Sequence, residues 1–313
     1  MRGRPVQRGP IAAACLLLLT VLLPGLAPAQ DGGLSPTLAN IKATHTVRLG
    51  YREASPPFSF MDQANRPIGY SLELCQAIVD EIGVEVDDPA LRIEYVPVTP
   101  ETRIPALLAN KVDLECGSTT ANAERRQRVA FSPLIFVAGT KLMVPLKVQG
   151  GAAPVSSITD LKGKTIVVTK GTTNEQAIQA ADKKFSLGLK IVTADDHEQA
   201  YRMVADGKAD AFATDDILLY GLIARHKAQG TMKVVGDYLS YEPYGIMFRK
   251  GEPQLAAVVE RAFRKLATEH DLLPLYRTWF MQRLPTGERL GIDISPQLEE
   301  SFKALDTSPG ANN

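Results

Sequence analysis

One pattern constrains this chain more than any other: a β-α-β-α-β succession that its sequence spells twice. Val47, Leu49 and Tyr51 alternate with Arg48, Gly50 and Arg52, which predicts a half-buried strand. From Ser71 to Ile82, the residues Leu74, Cys75, Ile78, Val79 and Ile82 fall on one helical face, and Gly83 is expected to end that helix. A strand over Ile93–Val98, a short helix over Ile104–Ala109 and a strand over Val112–Cys116 complete the first unit. After the Gly/Pro/Ser-rich stretch Gly150–Ser157 the succession restarts. It runs through a strand at Thr165–Thr169, a helix from about Asn174, and a strand at Lys190–Thr193. Next come a helix that Asp196 and Gln199 cap and that ends near Ala205, and a strand at Ala209–Thr214. A helix over Ile217–Lys227, strands at Met232–Val235 and Tyr244–Arg249, and helices over Leu255–Thr268 and Leu272–Met281 follow. Alternation of this kind predicts an α/β fold of parallel sheets with helices on both faces. Two such units predict two lobes with a ligand held between the carboxyl ends of their strands. Gly139–Pro145 and Gly236–Tyr244 are the expected crossings between them.

The first thirty residues are of another kind. Arg2, Arg4 and Arg8 precede an apolar run from Ile11 to Leu23, broken only by Thr20, and then Ala27-Pro28-Ala29. That order predicts a secretory signal peptide over residues 1–29, cleaved after Ala29. The run is shorter than the roughly 20 residues a membrane helix needs, which disfavours the alternative of an uncleaved anchor. The expected location is therefore the periplasm. The mature chain would keep about 284 residues, enough for two domains. The chain has 35 basic and 35 acidic residues, and the leader takes three arginines with it, so the mature net charge is near −3. No basic stripe argues for nucleic acid. Only Cys75 and Cys116 survive removal of the leader. In an oxidising compartment they favour one disulfide, with two separate buried thiols as the alternative. The scattered histidines His45, His197, His226 and His270 make no metal-binding spacing, so neither metal nor cofactor is expected.

Several short motifs occur in a telling order. Gly50-Tyr51-Arg52-Glu53, Pro57-Phe58-Ser59 and Gly69-Tyr70-Ser71 come first. Glu115-Cys116-Gly117-Ser118-Thr119-Thr120, Glu124-Arg125 and Ala130-Phe131-Ser132 follow, then Gly171-Thr172-Thr173 and Thr214-Asp215-Asp216. Over residues 38–305 the chain resembles the periplasmic solute-binding proteins of polar amino acid ABC importers, above all the glutamate/aspartate-binding branch. The resemblance implies the two-lobed periplasmic-binding-protein fold. Residues 38–139 plus 242–305 would form lobe 1, residues 140–241 lobe 2, and residues 306–313 a tail. It implies a monomer that closes about its hinge on an acidic amino acid and hands it to the membrane permease of an importer.

Burying a zwitterion demands a partner for each charge. The resemblance gives the α-carboxylate to Arg125, with Ser118, Thr120 and Thr173 around it, because a planar guanidinium can donate two parallel hydrogen bonds. It gives the α-ammonium to Asp215. It sets Arg52, Arg103 and His197 around the distal carboxylate, an arrangement that would repel a cationic side chain. The bland alternative for Arg52 or Arg103 is a surface ion pair, worth about 0–1 kcal/mol, and for Arg125 a solvated charge in Glu124-Arg125-Arg126-Gln127-Arg128. Pro100 departs from the pattern, since acidic-ligand relatives often carry a serine there. Ser55 lies where binders of cationic amino acids tend to stack an aromatic ring. Two rivals share the fold: a periplasmic dehydratase working through a cleft carboxylate such as Glu53 or Glu115, and a sensor that presents its ligand to a receptor.

Overall fold

The computed structural model describes residues 1–3, 33–147 and 155–307. Apart from residues 1–3, the expected leader lies outside the described residues, as do most of the Gly150–Ser157 stretch and the end of the tail. In chain order, α1 (Pro36–Thr44) leads into β1 (Thr46–Tyr51) and a small meander of β2 (Ala54–Ser55), β3 (Ser59–Met61) and β4 (Pro67–Ile68). Helix α2 (Tyr70–Val86), β5 (Arg92–Pro97), α3 (Arg103–Leu108), β6 (Leu114–Glu115), α4 (Ala123–Arg128) and β7 (Val129–Phe131) complete the first run. The chain then crosses through β8 (Phe136–Ala138) into β9 (Thr140–Pro145). The second run is β10 (Thr165–Thr169), α5 (Thr173–Phe185), β11 (Lys190–Ala194), α6 (His197–Ala205), β12 (Ala211–Asp215), α7 (Asp216–Arg225) and β13 (Met232–Val235). The return passes through β14 (Glu242–Tyr244) to β15 (Met247–Arg249), α8 (Pro253–Thr268), α9 (Leu272–Tyr276) and α10 (Pro296–Thr307).

Each run supplies four strands of a five-stranded sheet, in the orders β5-β1-β6-β15-β7 and β11-β10-β12-β9-β13, the fifth strands being β15 and β9. Four strands of each run in one direction, but β15 and β9 run antiparallel to both of their neighbours. The sheets are thus mixed where the alternation predicts purely parallel ones, because a strand that returns from the other lobe enters against the direction of the unit it joins. Between the sheets, β8 and β14 pair as a two-stranded antiparallel ribbon. This ribbon replaces the expected crossing at Gly139–Pro145, which instead supplies the antiparallel strand of the second sheet. The expected strand Tyr244–Arg249 is likewise two strands in two sheets, parted at Gly245.

Both sheets are covered on both faces. In the first, Leu74, Ile78 and Ile82 of α2 and Val258, Val259 and Phe263 of α8 pack in one core with Val47 and Leu49. Each such side chain contributes about 1.5–3 kcal/mol by leaving water. Helix α3 and Met247 form a smaller core on the opposite face. In the second, α6 and α7 cover one face and α5 the other. Helix α2 does not stop at Gly83. Asp87 takes the left-handed position, with its N–H on the Val84 carbonyl and the Asp88 N–H on the Gly83 carbonyl. The missing side chain of Gly83 instead makes room for the Asp88 carbonyl. A disulfide joins Cys75 of α2 to Cys116 just beyond β6, with the Cα atoms 6.2 Å apart. Among the described residues no helix is long and apolar enough to cross a membrane, and no group of three or more His, Cys, Asp or Glu is placed to hold a metal ion.

Candidate functional site

The singled-out residues sit where strands of the two sheets end. Arg52 follows β1, Arg103 opens α3 beyond β5, and Ser118 and Thr120 follow β6, with Arg125 in α4. Opposite them, Thr173 opens α5 after β10, His197 opens α6 after β11, and Asp215 ends β12. The two sets close on each other. Thr120 and Thr173 hydroxyls are 3.5 Å apart, Ser55 Oγ lies 3.2 Å from His197 Nδ1, and Lys170 pairs with Glu101 at 2.9 Å. The approach is close enough to require glycine: a side chain at Gly221 of α7 would run into the Pro56 carbonyl, and one at Gly171 (φ +75°) into Glu101. The cavity between them is lined by Arg52, Arg103, Ser118, Thr120, Thr173, His197 and Asp215, together with Thr172, Asn174 and Leu218. Arg125 stands behind this wall, its Nη1 donating to the Thr120 carbonyl at 3.1 Å.

The first side of the cavity is cationic and short of partners. Arg52 is 2% exposed and Arg103 3%, so neither is a surface charge. Nη1 and Nη2 of Arg52 and Nε of Arg103 are buried without a hydrogen-bond partner among the described residues, as is Ser118 Oγ. Arg103 Nη1 reaches only the Ser118 carbonyl, at 3.4 Å. Burial and the Arg103 charge pull Arg52 down to about 9 and Arg125 down to about 10, so both remain protonated at neutral pH. Burial also lowers Arg103. His197 is held well below the usual imidazole range by burial and by Arg52 and Arg103. It is therefore neutral and offers a hydrogen bond rather than a charge. Leaving a buried donor unmatched costs about 1–3 kcal/mol, more for a charged one.

The second side is a finished network. Asp215 accepts from Asn174 Nδ2 at 2.6 Å through one oxygen and from the Tyr244 hydroxyl through the other. Asn174 Nδ2 also reaches Thr140 Oγ1 at 2.7 Å. Burial and the nearby Glu242 raise Asp215 to about 7 against the pull of those hydrogen bonds. Glu242 of β14 takes the Thr120 and Thr173 hydroxyls on one oxygen and the Ser240 hydroxyl on the other, each at 2.6 Å. Glu115 accepts from Thr119 Oγ1 at 2.5 Å beside the arginines, whereas Glu53 is exposed. Glu242, Asn174 and Tyr244 were not among the residues expected from sequence. Asn174 had a signal, since it directly follows Gly171-Thr172-Thr173. Glu242 and Tyr244 had only their place in the expected return crossing.

Residues 47–282 match the bacterial extracellular solute-binding proteins, family 3. The L-glutamate/L-aspartate-binding protein of Pseudomonas aeruginosa is 38% identical over 94% of this chain and 95% of its own length. The glutamate/aspartate import solute-binding protein of Salmonella typhimurium is 35% identical over 92% of this chain and 95% of its own. Among solved structures, an ancestral arginine-binding protein bound to arginine superposes with a TM-score of 0.66 at 30% identity, covering 75% of this chain and 98% of that one. Two sheets facing one cavity, with matching relatives along nearly the whole length, place the chain: it belongs to the bacterial extracellular solute-binding proteins, family 3.

Proposed function

We propose that this protein is the extracytoplasmic substrate-binding component of an ABC importer, capturing glutamate or aspartate in the periplasm and delivering it to the membrane permease. The observation that carries the reading is the set of buried arginine donors without partners, Nη1 and Nη2 of Arg52 and Nε of Arg103, on one wall of an interlobe cavity. Such donors suit an anion, and a distal carboxylate can take two of them at once. Arg125 with Ser118 serves the α-carboxylate, Asp215 the α-ammonium, and Arg52, Arg103 and neutral His197 the distal carboxylate, with Thr120 and Thr173 lining the cavity between them. The names of relatives such as the Pseudomonas aeruginosa protein support the same ligand.

In this reading lobe 1 is residues 38–139 plus 242–305 and lobe 2 is residues 140–241. The β8–β14 ribbon is the hinge, and the loaded, closed monomer is the form the permease recognises. The basic, apolar and small-residue order of residues 1–29 supports export with cleavage after Ala29. Binding rather than catalysis is supported by Glu53 facing solvent and by relatives such as the Pseudomonas aeruginosa protein being named as binding proteins. A thermal-shift panel of the common amino acids and dicarboxylates tests the proposal. Glutamate and aspartate should raise the melting temperature in step with concentration. A shift with arginine or glutamine alone overturns the acidic assignment.

A further inference from the structure

We propose that Glu242 is a positioning residue that turns Thr120 and Thr173 into hydrogen-bond acceptors for the ligand's α-ammonium; this rests on the amino-acid reading above. Glu242 lies on the hinge ribbon, is 2% exposed, and bridges both sides of the cavity by taking the Thr120 and Thr173 hydroxyls on a single oxygen. An ionised carboxylate only accepts, and a hydroxyl has one proton to give. With those protons committed to Glu242, neither threonine hydroxyl can donate to a carboxylate of the ligand. What each has left for the cavity is its lone pairs.

The other oxygen of Glu242 is engaged too. Asn174 Nδ2 donates to Thr140 Oγ1, which lies 2.7 Å from Ser240 Oγ, and Ser240 Oγ donates to Glu242. Ser240 thus links Glu242 to the Thr140 and Asn174 side chains. The cavity lining therefore presents three acceptors: Thr120 Oγ1, Thr173 Oγ1 and the Asp215 carboxylate. An ammonium has three N–H donors to match. The α-carboxylate is then left to the Arg125 guanidinium and to backbone N–H groups at the start of α5, where a helix N-terminus favours an anion. Glu242 thus makes the site discriminate amino acids from the corresponding acids without an amino group.

The test compares glutamate with glutarate, which lacks only the amino group, by calorimetric titration of the whole exported protein. In Glu242→Gln one acceptor oxygen becomes a donor, and with the amide nitrogen towards Thr120 and Thr173 their hydroxyl protons turn towards the cavity. Glutamate affinity is expected to fall by about 10- to 100-fold, the worth of hydrogen bonds to a charged group. Glutarate should change by less than about threefold, within the range of a neutral hydrogen bond. Thr120→Val and Thr173→Val should show the same selective loss, and they carry the test if Glu242→Gln does not fold. Equal losses for glutamate and glutarate, or an unchanged ratio in both Thr120→Val and Thr173→Val, overturn the proposal. If the wild type binds another amino acid instead of glutamate, only the acidic assignment fails, and the same comparison is run with that amino acid and its deamino counterpart. Binding of no amino acid overturns both.

Discussion

The first lobe meets the cavity with arginines whose donors are only partly used, whereas the second meets it with a carboxylate whose two oxygens are both hydrogen-bonded. The contrast shows how a two-lobed site can divide its work. Buried, underused cations favour any anion strongly and are costly without one. A carboxylate held by a hydrogen bond on each oxygen is fixed in orientation and keeps lone pairs for an ammonium. In the proposed function, affinity therefore resides mainly in lobe 1 and selectivity in lobe 2 together with the hinge.

The largest effects should come from the cationic side. Arg125→Ala is expected to weaken every amino acid by about 10³-fold, the scale of removing one partner of a buried charge pair. Arg52→Ala should weaken glutamate and aspartate by about 10²-fold and spare glutamine. Calorimetric titration with the three ligands checks both, and equal losses for glutamate and glutamine in Arg52→Ala would break the division drawn above.

The second side should show itself through pH. Asp215 sits at about 7, so below neutrality it is protonated and must release a proton to receive an ammonium. Affinity should thus fall by up to about tenfold for each pH unit below 7 and level off above it. Stability runs the opposite way along the pH axis: the folded protein holds this proton from its ordinary 3.8 up to about 7, so the contribution of Asp215 to stability is lost as pH rises through that window. Stability from this group is highest at acid pH, where binding is weakest. Asp215→Asn should abolish both trends, read as melting temperature and as ligand affinity between about pH 5 and about pH 8. A ligand affinity that is flat with pH in the wild type would remove Asp215 from the ammonium site. The smallest effect is expected from Pro100→Ser, which adds one hydroxyl and should change the glutamate-to-aspartate preference by roughly two- to tenfold.

Much of the cationic side could be read from the sequence. Arg52 ends a strand whose alternation is plain, Arg103 stands at the start of the helix after the next strand, and Arg125 follows a distinctive Gly-Ser-Thr-Thr loop. The network was not legible for a physical reason. Thr120 and Glu242 are 122 residues apart, and the bond between them exists only because β14 returns beside the first sheet. Local pattern also misread Gly83, since a glycine needed for close packing looks the same as one needed to end a helix. Tyr244–Arg249 reads as one strand because Gly245 is the only mark of the change of sheet. Helices α1 and α10 and the small meander of β2, β3 and β4 escaped because they are short or weakly periodic.

The place of β15 has a consequence for assembly. It lies between β6 and β7, and β7 touches its sheet through no other strand. A polypeptide made from its N-terminus therefore has every other strand of the first sheet in hand before it has the one that joins them. The second sheet, by contrast, closes from a continuous stretch, β9 to β13. The half of the molecule that begins first is finished last, and its open edge waits on Met247–Arg249.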